Sequence, residues 1–413
     1  MDNIIKKAKN IFENSEYAVE KAFFMGTTKI LLFADSVDFA NYASERLEQY
    51  FPQCIDNRSD EMINIYTLRS TKMYELIKYE LELIQTWEEI EHIGSIYFVS
   101  NQMNKYRISV WITNKNNYFG KNGYTVETVL KDYYDGNPNI CLVVHNTHNF
   151  IFLYSQVDKC TTATPMRLIR SIFMQKLSNS YKNIMYFHAA AVMYKGKGIL
   201  LCGASGNGKT STVLDFMNYC EGSLVANDKV FLYIDENNQL QVYGWPTIVT
   251  IGVGNLKQYA QLQRYLVSID DVSCSQELYG YKPKKEYLKY TDDQLRALGK
   301  AGNKLALSHN QFANLFRKNI KPKVNVDVLV FVKHEWECKN RNIKLIEYNK
   351  KEIIIRENIL KNRSDQLEWI GNEKCHSTNV GDVIEYIKNN IPIYSFQSDF
   401  KKICFGDFLE EVL

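Results

Sequence analysis

The chain lacks a marked charge imbalance and any long apolar run, and these absences argue against several classes of protein. Lys and Arg together number 50 against 47 for Asp and Glu, which gives a formal net charge of +3 at pH 7. Such a balance offers no general reason to expect nucleic acid as the partner. No uncharged apolar run of about 18 residues occurs, so we expect neither a membrane-spanning helix nor a membrane partner.

The nine cysteines lack the spacing of a zinc or redox site. No two of them form a CxxC pair, and an odd count argues against a secreted disulfide framework. The first residues, MDNIIKKAKNIFENSEY, show no apolar signal core and no small-residue cleavage site. We therefore expect reduced thiols and a cytoplasmic protein.

The chain also lacks an internal repeat and a linker rich in Pro, Gly or Ser. Its 413 residues, 45% apolar and 23% charged, are typical of a soluble protein with two domains. We place the boundary near residue 160. Residues 1–160 mix short strands with helices and are expected to form a smaller α+β domain, ahead of a second domain over residues 161–413.

Local patterns predict the elements around this boundary. Ser36 is expected to begin an amphipathic helix, SVDFANYASERLEQYF, and Thr164 followed by Pro165 is expected to begin another. The predicted strands of the first domain are TKILLFA, SIYFVS, YRISVWIT and ICLVVHN.

The strongest motif is GILLCGASGNGKTSTV, residues 198–213. The apolar run Gly198–Cys202 predicts a strand, and Lys209–Tyr219 predicts a helix. Between them stand Gly203, four further residues, and then Gly208, Lys209 and Thr210. This spacing fits a phosphate-binding loop, in which backbone amides and a helix N-terminus surround a pyrophosphate.

The motif assigns expected roles to its residues. The amides from Ser205 to Thr210 would hold the α- and β-phosphates, while the Lys209 ammonium would reach the β- and γ-phosphates. The Thr210 hydroxyl would hold Mg²⁺. The candidate nucleotide-binding residues are Gly203, Ala204, Ser205, Gly206, Asn207, Gly208, Lys209, Thr210 and Ser211.

The residues around the loop resemble a known kinase family. In residues 187–233, FHAAAVMYKGKGILLCGASGNGKTSTVLDFMNYCEGSLVANDKVFLY, His188 precedes the loop and the pair Asn227 and Asp228 follows it. This stretch resembles the core of the HPr kinase/phosphorylase family, in which a histidine and an acidic pair occupy these places. A looser similarity runs through YGWPTIVTIGVGNL and the closing IPIYSFQSDFKKICFGDFLEEVL.

The resemblance implies a phosphoenolpyruvate-carboxykinase-like P-loop fold, α/β with a mixed sheet, over residues 161–413. It implies phosphoryl transfer from ATP or GTP to a hydroxyl, typically a serine of a peptide or protein. Catalysis would rest on Asp228, His188 and Lys209, with Mg²⁺ held by Thr210 and Asp228. By analogy with kinases that modify ribosomally made peptides, residues 1–160 would recognise the acceptor. Whether the chain forms an oligomer is left open.

Two departures from the family pattern keep alternatives open. Asn227 stands where the family has a first acid, so reduced or altered activity is one expectation. The family's second glycine-rich signature is missing, which favours a kinase dedicated to another acceptor. The alternatives are a non-catalytic nucleotide-binding module and a small-molecule kinase.

The remaining candidates receive ordinary structural interpretations. His145 and His148, in a predicted strand and turn, are not expected to bind a metal. His334, among acidic residues, is expected to be solvated. The basic run KPKKEYLKY, residues 282–290, is expected to be a solvated loop.

Overall fold

A computed structural model of the chain describes residues 2–25, 28–51, 61–70, 72, 90–99, 105–113, 118–119, 125–126, 128–134, 137–145, 148–154, 169–170, 172–174, 176, 181, 183–268, 285–335, 341–360 and 380–413. The described residues divide into two units, an N-terminal unit up to Lys176 and a C-terminal unit from Tyr181 onward. The boundary predicted near residue 160 falls outside the described residues. Both units combine sheets with helices, so the fold is mixed α/β.

The N-terminal unit is built on a mixed sheet whose strands run in the order β1-β2-β3-β10-β9-β8-β5-β4. Strands β2 and β10 pair with β3 in parallel, and the other neighbours pair antiparallel. Its described elements are α1 (Asp2–Glu13), β1 (Val19–Met25), β2 (Thr28–Ala34), α2 (Val37–Leu47), β3 (Glu61–Arg69), β4 (Ile90–Val99), β5 (Lys105–Thr113), β6 (Tyr118–Phe119), β7 (Thr125–Val126), β8 (Thr128–Tyr134), β9 (Asn137–His145) and β10 (Asn149–Tyr154).

Local sequence explains much of this unit. The helix predicted to begin at Ser36 is confirmed as α2, because the Ser36 hydroxyl accepts a hydrogen bond from the Phe39 amide at 3.4 Å. The four predicted strands correspond to β2, β4, β5 and β9. The described residues between 169 and 176 are helical, as the cap at Thr164 predicts, although that cap lies outside the described residues. His145 ends β9 and His148 lies in the following bend, as predicted.

The C-terminal unit contains the phosphate-loop motif. Its described elements are β11 (Met185–Phe187), β12 (Ala189–Tyr194), β13 (Lys197–Cys202), α3 (Lys209–Tyr219), β14 (Gly222–Ala226), β15 (Val230–Ile234), β16 (Leu240–Gly244), β17 (Ile248–Gly252), a 3₁₀ helix (Val253–Gln258), α4 (Ala260–Ser268), a second 3₁₀ helix (Lys285–Lys289), α5 (Asp292–Lys300), β18 (Lys304–Ser308), α6 (His309–Leu315), β19 (Asn319–Ile320), β20 (Lys323–Val332), β21 (Asn342–Leu345), α7 (Tyr348–Asn358), α8 (Val380–Asn390), β22 (Ile393–Gln397) and α9 (Phe405–Val412).

The main sheet of this unit mixes strand directions. Its order is β11-β15-β16-β20-β13-β12-β14-β19, with β22 also paired to β20 and β21 paired to β22. Strand β13 runs parallel to β20, and β12 runs antiparallel to both β13 and β14. Strands β13 and β20 end side by side, because Cys202 at the end of β13 pairs with Phe331 of β20. The segments that follow them therefore leave the sheet next to each other. This edge carries the candidate site.

Apolar side chains cover both faces of this sheet. Ile199 and Leu201 of β13 join a cluster with α3 and α9, whereas Leu200 and Cys202 join a second cluster with α7 and α8. Successive side chains of a strand point to opposite faces, so a strand buried on both faces must be apolar throughout. The run GILLC meets that requirement, which is why it reads as a strand in the sequence.

Two further expectations concern solvent and membrane. In the described part of the basic run 282–290, Lys285 and Lys289 are exposed as predicted. The segment is a 3₁₀ helix and not a loop, however, and it buries the Tyr287 ring to 1% exposure. Among the described residues, no helix has the length and apolarity needed to cross a bilayer.

Candidate functional site

The loop between β13 and α3 has a backbone that only glycine adopts easily. Gly203, Gly206 and Gly208 have φ angles of +144°, +85° and +103°. A Cβ on Gly203 would lie 2.7 Å from the Val332 carbonyl oxygen, and one on Gly208 would collide with the His334 ring. Glycine is therefore required at both fixed glycine positions of the motif. The loop ends at the N-terminus of α3, an 11-residue helix whose first amides attract anions.

Lys209 places its ammonium inside this loop. The side chain is buried, and Nζ donates hydrogen bonds to the carbonyl oxygens of Gly203 at 2.7 Å and Ala204 at 3.3 Å. Burial lowers the pKa of Lys209, and the nearby Asp228 carboxylate opposes that shift. A cation enclosed by backbone at a helix N-terminus is a strong attractor for phosphate.

Thr210 and Asn227 meet beside the loop. The Asn227 amide Nδ2 donates to Thr210 Oγ1 at 3.3 Å, and Asn227 is only 2% exposed. Among the described residues, its other amide atom, Oδ1, has no hydrogen-bond partner although it is buried. Ser211, in the first turn of α3, donates through its hydroxyl to Asn255 Oδ1 at 3.2 Å, which ties α3 to the first 3₁₀ helix.

Asp228 and His188 form a hydrogen-bonded pair. His188 Nε2 lies 3.2 Å from Asp228 Oδ1, with the two side chains 30% and 43% exposed. Burial disfavours the charged carboxylate, but the hydrogen bond and charge of His188, together with Lys229 and Lys209, outweigh it and lower the pKa of Asp228 to about 2. The carboxylate is therefore ionised at neutral pH.

Sheet order explains why these residues lie together. His188 directly precedes β12, Asp228 follows β14, and the loop follows β13. Since β12 is antiparallel to both neighbours, its start lies beside their ends; Ala189 pairs with Cys202, and Ala191 pairs with Ala226. The sequence-predicted residues His188, Lys209, Thr210 and Asp228 consequently occupy one edge of the sheet.

His334 belongs to this edge, and the prediction that it is solvated was wrong. The ring is 4% exposed, with Nε2 2.7 Å from Thr212 Oγ1 and Nδ1 3.0 Å from Ser398 Oγ. Burial lowers the pKa of His334 to about 4. Its flanking residues Lys333 and Glu335 pair with each other on the surface at 3.2 Å, so the charges that suggested exposure belong to neighbours whose side chains point outward.

Asn358 is a second residue that sequence reasoning missed. Its Oδ1 accepts a hydrogen bond from the Gly203 amide at 3.0 Å, and its backbone carbonyl accepts one from the His188 amide at 2.8 Å. Asn358 thus joins the start of the loop to the histidine of the His188–Asp228 pair. No local signal marks it, because it lies 155 residues beyond Gly203 at the end of α7.

The donor atoms at this edge fit a magnesium ion. Thr210 offers a hydroxyl, Asp228 a carboxylate, and Asn227 a buried amide oxygen that is otherwise unpaired among the described residues. These are the hard oxygen ligands that Mg²⁺ prefers. No group of three or more His, Cys, Asp or Glu side chains in the described ranges could hold an ion by itself.

Comparison with known protein families finds no match, and comparison with curated proteins finds none. Among solved structures, the Hpr(Ser) kinase/phosphatase from Coxiella burnetii is matched at 15% identity. The match covers 39% of this chain and 70% of that protein, with a TM-score of 0.20. A likeness this weak leaves the function to be argued from the residues of the site.

Proposed function

We propose that the C-terminal unit binds ATP or GTP and transfers the γ-phosphoryl group to a hydroxyl, that of a serine in a peptide or protein. The observation that carries the proposal is that Lys209, enclosed in its loop at the start of α3, lies near enough to the Asp228 of the His188–Asp228 pair for each charge to shift the other's pKa. Phosphoryl transfer depends mainly on positioning and on neutralising charge. The loop and the His188–Asp228 pair can position the reactants, and Lys209 can neutralise charge.

Nucleotide binding would use the loop and its lysine. The amides from Ser205 to Thr210 would donate to the α- and β-phosphates. The Lys209 ammonium, which contacts the neutral carbonyls of Gly203 and Ala204, would exchange them for charged oxygens of the β- and γ-phosphates. The ammonium is attracted more strongly to a negatively charged phosphate oxygen than to a neutral carbonyl oxygen, so the exchange favours binding.

The metal requirement follows from the donor set. A bound Mg²⁺ would neutralise charge on the β- and γ-phosphates. Thr210 and Asp228 would hold it, and the amide of Asn227 would keep the Thr210 hydroxyl oriented through its contact at 3.3 Å.

In the transfer step, Asp228 would act on the hydroxyl of the acceptor. The acceptor oxygen would form a bond to the γ-phosphorus as the bond to the β–γ bridging oxygen breaks, and the nucleoside diphosphate would leave with that electron pair. The hydroxyl proton would pass to the Asp228 carboxylate. A pKa of about 2 makes Asp228 a weak base, so its main role is to orient the hydroxyl, while His188 Nε2 fixes the carboxylate at 3.2 Å.

The wider proposal concerns fold and acceptor. The mixed sheet with a phosphate loop after β13 supports a phosphoenolpyruvate-carboxykinase-like P-loop fold for the C-terminal unit. The N-terminal unit would then recognise the acceptor, which by analogy includes ribosomally made peptides.

One observation favours a second candidate, a nucleotide-binding module without transfer activity. Asn227 presents a neutral amide to Thr210 at a place where the family it resembles has an acid. In this alternative, nucleotide would only set the conformation of a surface that binds a partner.

The test is single-turnover transfer from γ-labelled ATP and GTP by the full chain, with nucleotide binding followed separately. Acceptors would be a library of serine peptides, each matched by the same peptide with alanine in place of serine, and a separate set of free amino acids and sugars. Label on serine peptides alone is the expected result. Binding without transfer would support the non-catalytic module, label on a free sugar or amino acid would indicate a small-molecule kinase, and absence of binding would overturn both nucleotide proposals.

A further inference from the structure

A buried imidazole lies behind the phosphate loop and takes no part in the proposed transfer. His334 follows β20 in the chain, and its side chain is almost completely buried. Its backbone amide donates to the carbonyl oxygen of Asn207, inside the loop, at 3.0 Å. The residue therefore touches the loop through its main chain as well as through its ring.

The hydrogen bonds around His334 connect Ser398, Thr212 and Gly208. The Thr212 hydroxyl lies 3.0 Å from the Gly208 carbonyl oxygen, to which it donates, and 2.7 Å from His334 Nε2, which donates to it in the tautomer protonated on Nε2. The ring is neutral at pH 7, because burial lowers its pKa to about 4. Nδ1 then accepts from the Ser398 hydroxyl at 3.0 Å. The chain of donors runs from Ser398 through His334 and Thr212 to Gly208.

The last group in this series of hydrogen bonds is the Gly208 carbonyl, and Gly208 sets the conformation of the loop where it meets α3. Gly208 has φ +103° and is the N-cap of α3, so its carbonyl orientation sets where the loop meets the helix. That carbonyl also accepts from the Thr212 amide at 2.8 Å. The imidazole ring lies so close to Gly208 that a Cβ there would collide with it. His334 thus restrains the loop by contact as well as by hydrogen bonding.

We propose that His334 is a positioning residue that acts through Thr212 to hold the phosphate loop in its nucleotide-binding shape. The proposal deepens the proposed function and rests on it for its consequence, nucleotide affinity. The restraint itself is a property of the chain alone. If His334 only filled space, a side chain of similar size without a donor at the Nε2 position would serve equally well.

Two matched pairs of variants separate these roles. His334→Gln carries an amide that can replace Nε2 as the donor to Thr212, whereas His334→Asn is too short to reach it. Thr212→Ser retains the hydroxyl, whereas Thr212→Val keeps the shape and removes it. Within each pair, only one variant breaks the chain of hydrogen bonds.

The first measurement is hydrogen exchange of the amides of residues 203–210 in the full chain without nucleotide. Exchange is expected to accelerate by roughly tenfold in His334→Asn and Thr212→Val, the scale of one lost hydrogen bond, and to change by less than about threefold in the other two variants. Peptides from the core of β20 serve as the internal control for folding. If His334→Asn fails to fold, the Thr212 pair decides by itself.

The second measurement is the dissociation constant of a fluorescent ATP analogue. The same two variants are expected to bind about tenfold more weakly, and the double variant His334→Asn, Thr212→Val no more weakly than either single one, because both break the same chain. Equal loop exchange in all variants, or additive losses in the double variant, would overturn the proposal. If the wild-type chain binds no nucleotide, the proposed function fails, while the exchange comparison still decides the restraint.

Discussion

At the scale of single residues, Asn227 and Asp228, which follow β14, have different contacts and different expected roles. The buried Asn227 amide contacts Thr210, and the half-exposed Asp228 carboxylate contacts His188. The two side chains have different partners, as expected at a strand end, where neighbouring side chains point to opposite sides. Of these two residues, Asp228 is the one that combines a negative charge with access from solvent.

Asp228→Asn is expected to keep nucleotide binding and to lower the rate of transfer by at least about a hundredfold, the usual scale for a positioned base. The amide can still hydrogen-bond but cannot take up the acceptor proton. Single-turnover transfer from labelled nucleotide measures the rate. The companion variant Asn227→Asp is expected to be tolerated or to add hydrolysis of the nucleotide. Normal transfer by Asp228→Asn would make Asp228 structural.

Lys209→Ala is expected to abolish transfer with the fold intact. The enclosed ammonium would neutralise charge on the transferring group, and removing one such electrostatic contact costs a factor of roughly a hundred to a thousand in rate. Lys195→Ala is the matched control, because Lys195 is 65% exposed and pairs with Glu410 away from the loop. Transfer by Lys209→Ala within a few-fold of wild type would remove the phosphate-loop assignment.

At the scale of elements, α3 is joined to α9 by a buried carboxylate. Asp215 on α3 accepts a hydrogen bond from the Phe405 amide, the first of α9, at 2.7 Å. Burial raises the pKa of Asp215 to about 6, Asp407 adds to the rise, and the amides of Phe405 and Cys404 oppose it. The apolar faces of the two helices pack in the same core.

Asp215 is expected to make the folded state less stable as pH rises. Its pKa is higher in the folded chain than the ordinary value of 3.8, so its contribution to stability is full below about pH 4 and is lost as pH rises through 6. Between pH 5 and 7 the loss is about 1 kcal/mol. Asp215→Asn keeps an oxygen for the Phe405 amide and should remove this part of the pH dependence.

Urea unfolding of wild type and Asp215→Asn at pH 5, 6 and 7 tests the prediction. The variant should gain in stability relative to wild type as pH rises. A difference between the two proteins that stays constant across this range would show that Asp215 has an ordinary pKa in the folded chain.

At the scale of the whole molecule, every residue of the candidate site belongs to the C-terminal unit. The chain from Ser178 onward is therefore expected to bind nucleotide without the residues before it. Transfer to a peptide acceptor should weaken in that fragment, because the proposal gives acceptor recognition to the N-terminal unit. Isothermal titration and peptide phosphorylation measure the two effects, with Lys209→Ala in the fragment as the control for specific binding.

A folded fragment that phosphorylates its acceptor as well as the whole chain would contradict the recognition role. A folded fragment that binds no nucleotide would show that residues before 178 contribute to the site. Circular dichroism and cooperative unfolding establish whether the fragment is folded before either result is interpreted.

The sequence by itself determined the strand, the loop and the helix of residues 197–219, because their signals are local. An apolar run buried on both faces, glycines at the positive-φ positions and a lysine at the helix start all lie within a few residues of one another. The resemblance to a kinase family directed attention to His188 and Asp228, which the structure brings within hydrogen-bond distance.

Only the tertiary structure decided what holds that loop in place. His334 lies 122 residues beyond Thr212, and Asn358 lies 155 beyond Gly203, so no spacing in the sequence could connect them. The charged neighbours of His334 even suggested exposure. Its burial depends on β20 lying beside β13 in the sheet, which brings the chain after Val332 against the loop. Contacts of this kind follow from strand order, and strand order is set by packing across the whole unit.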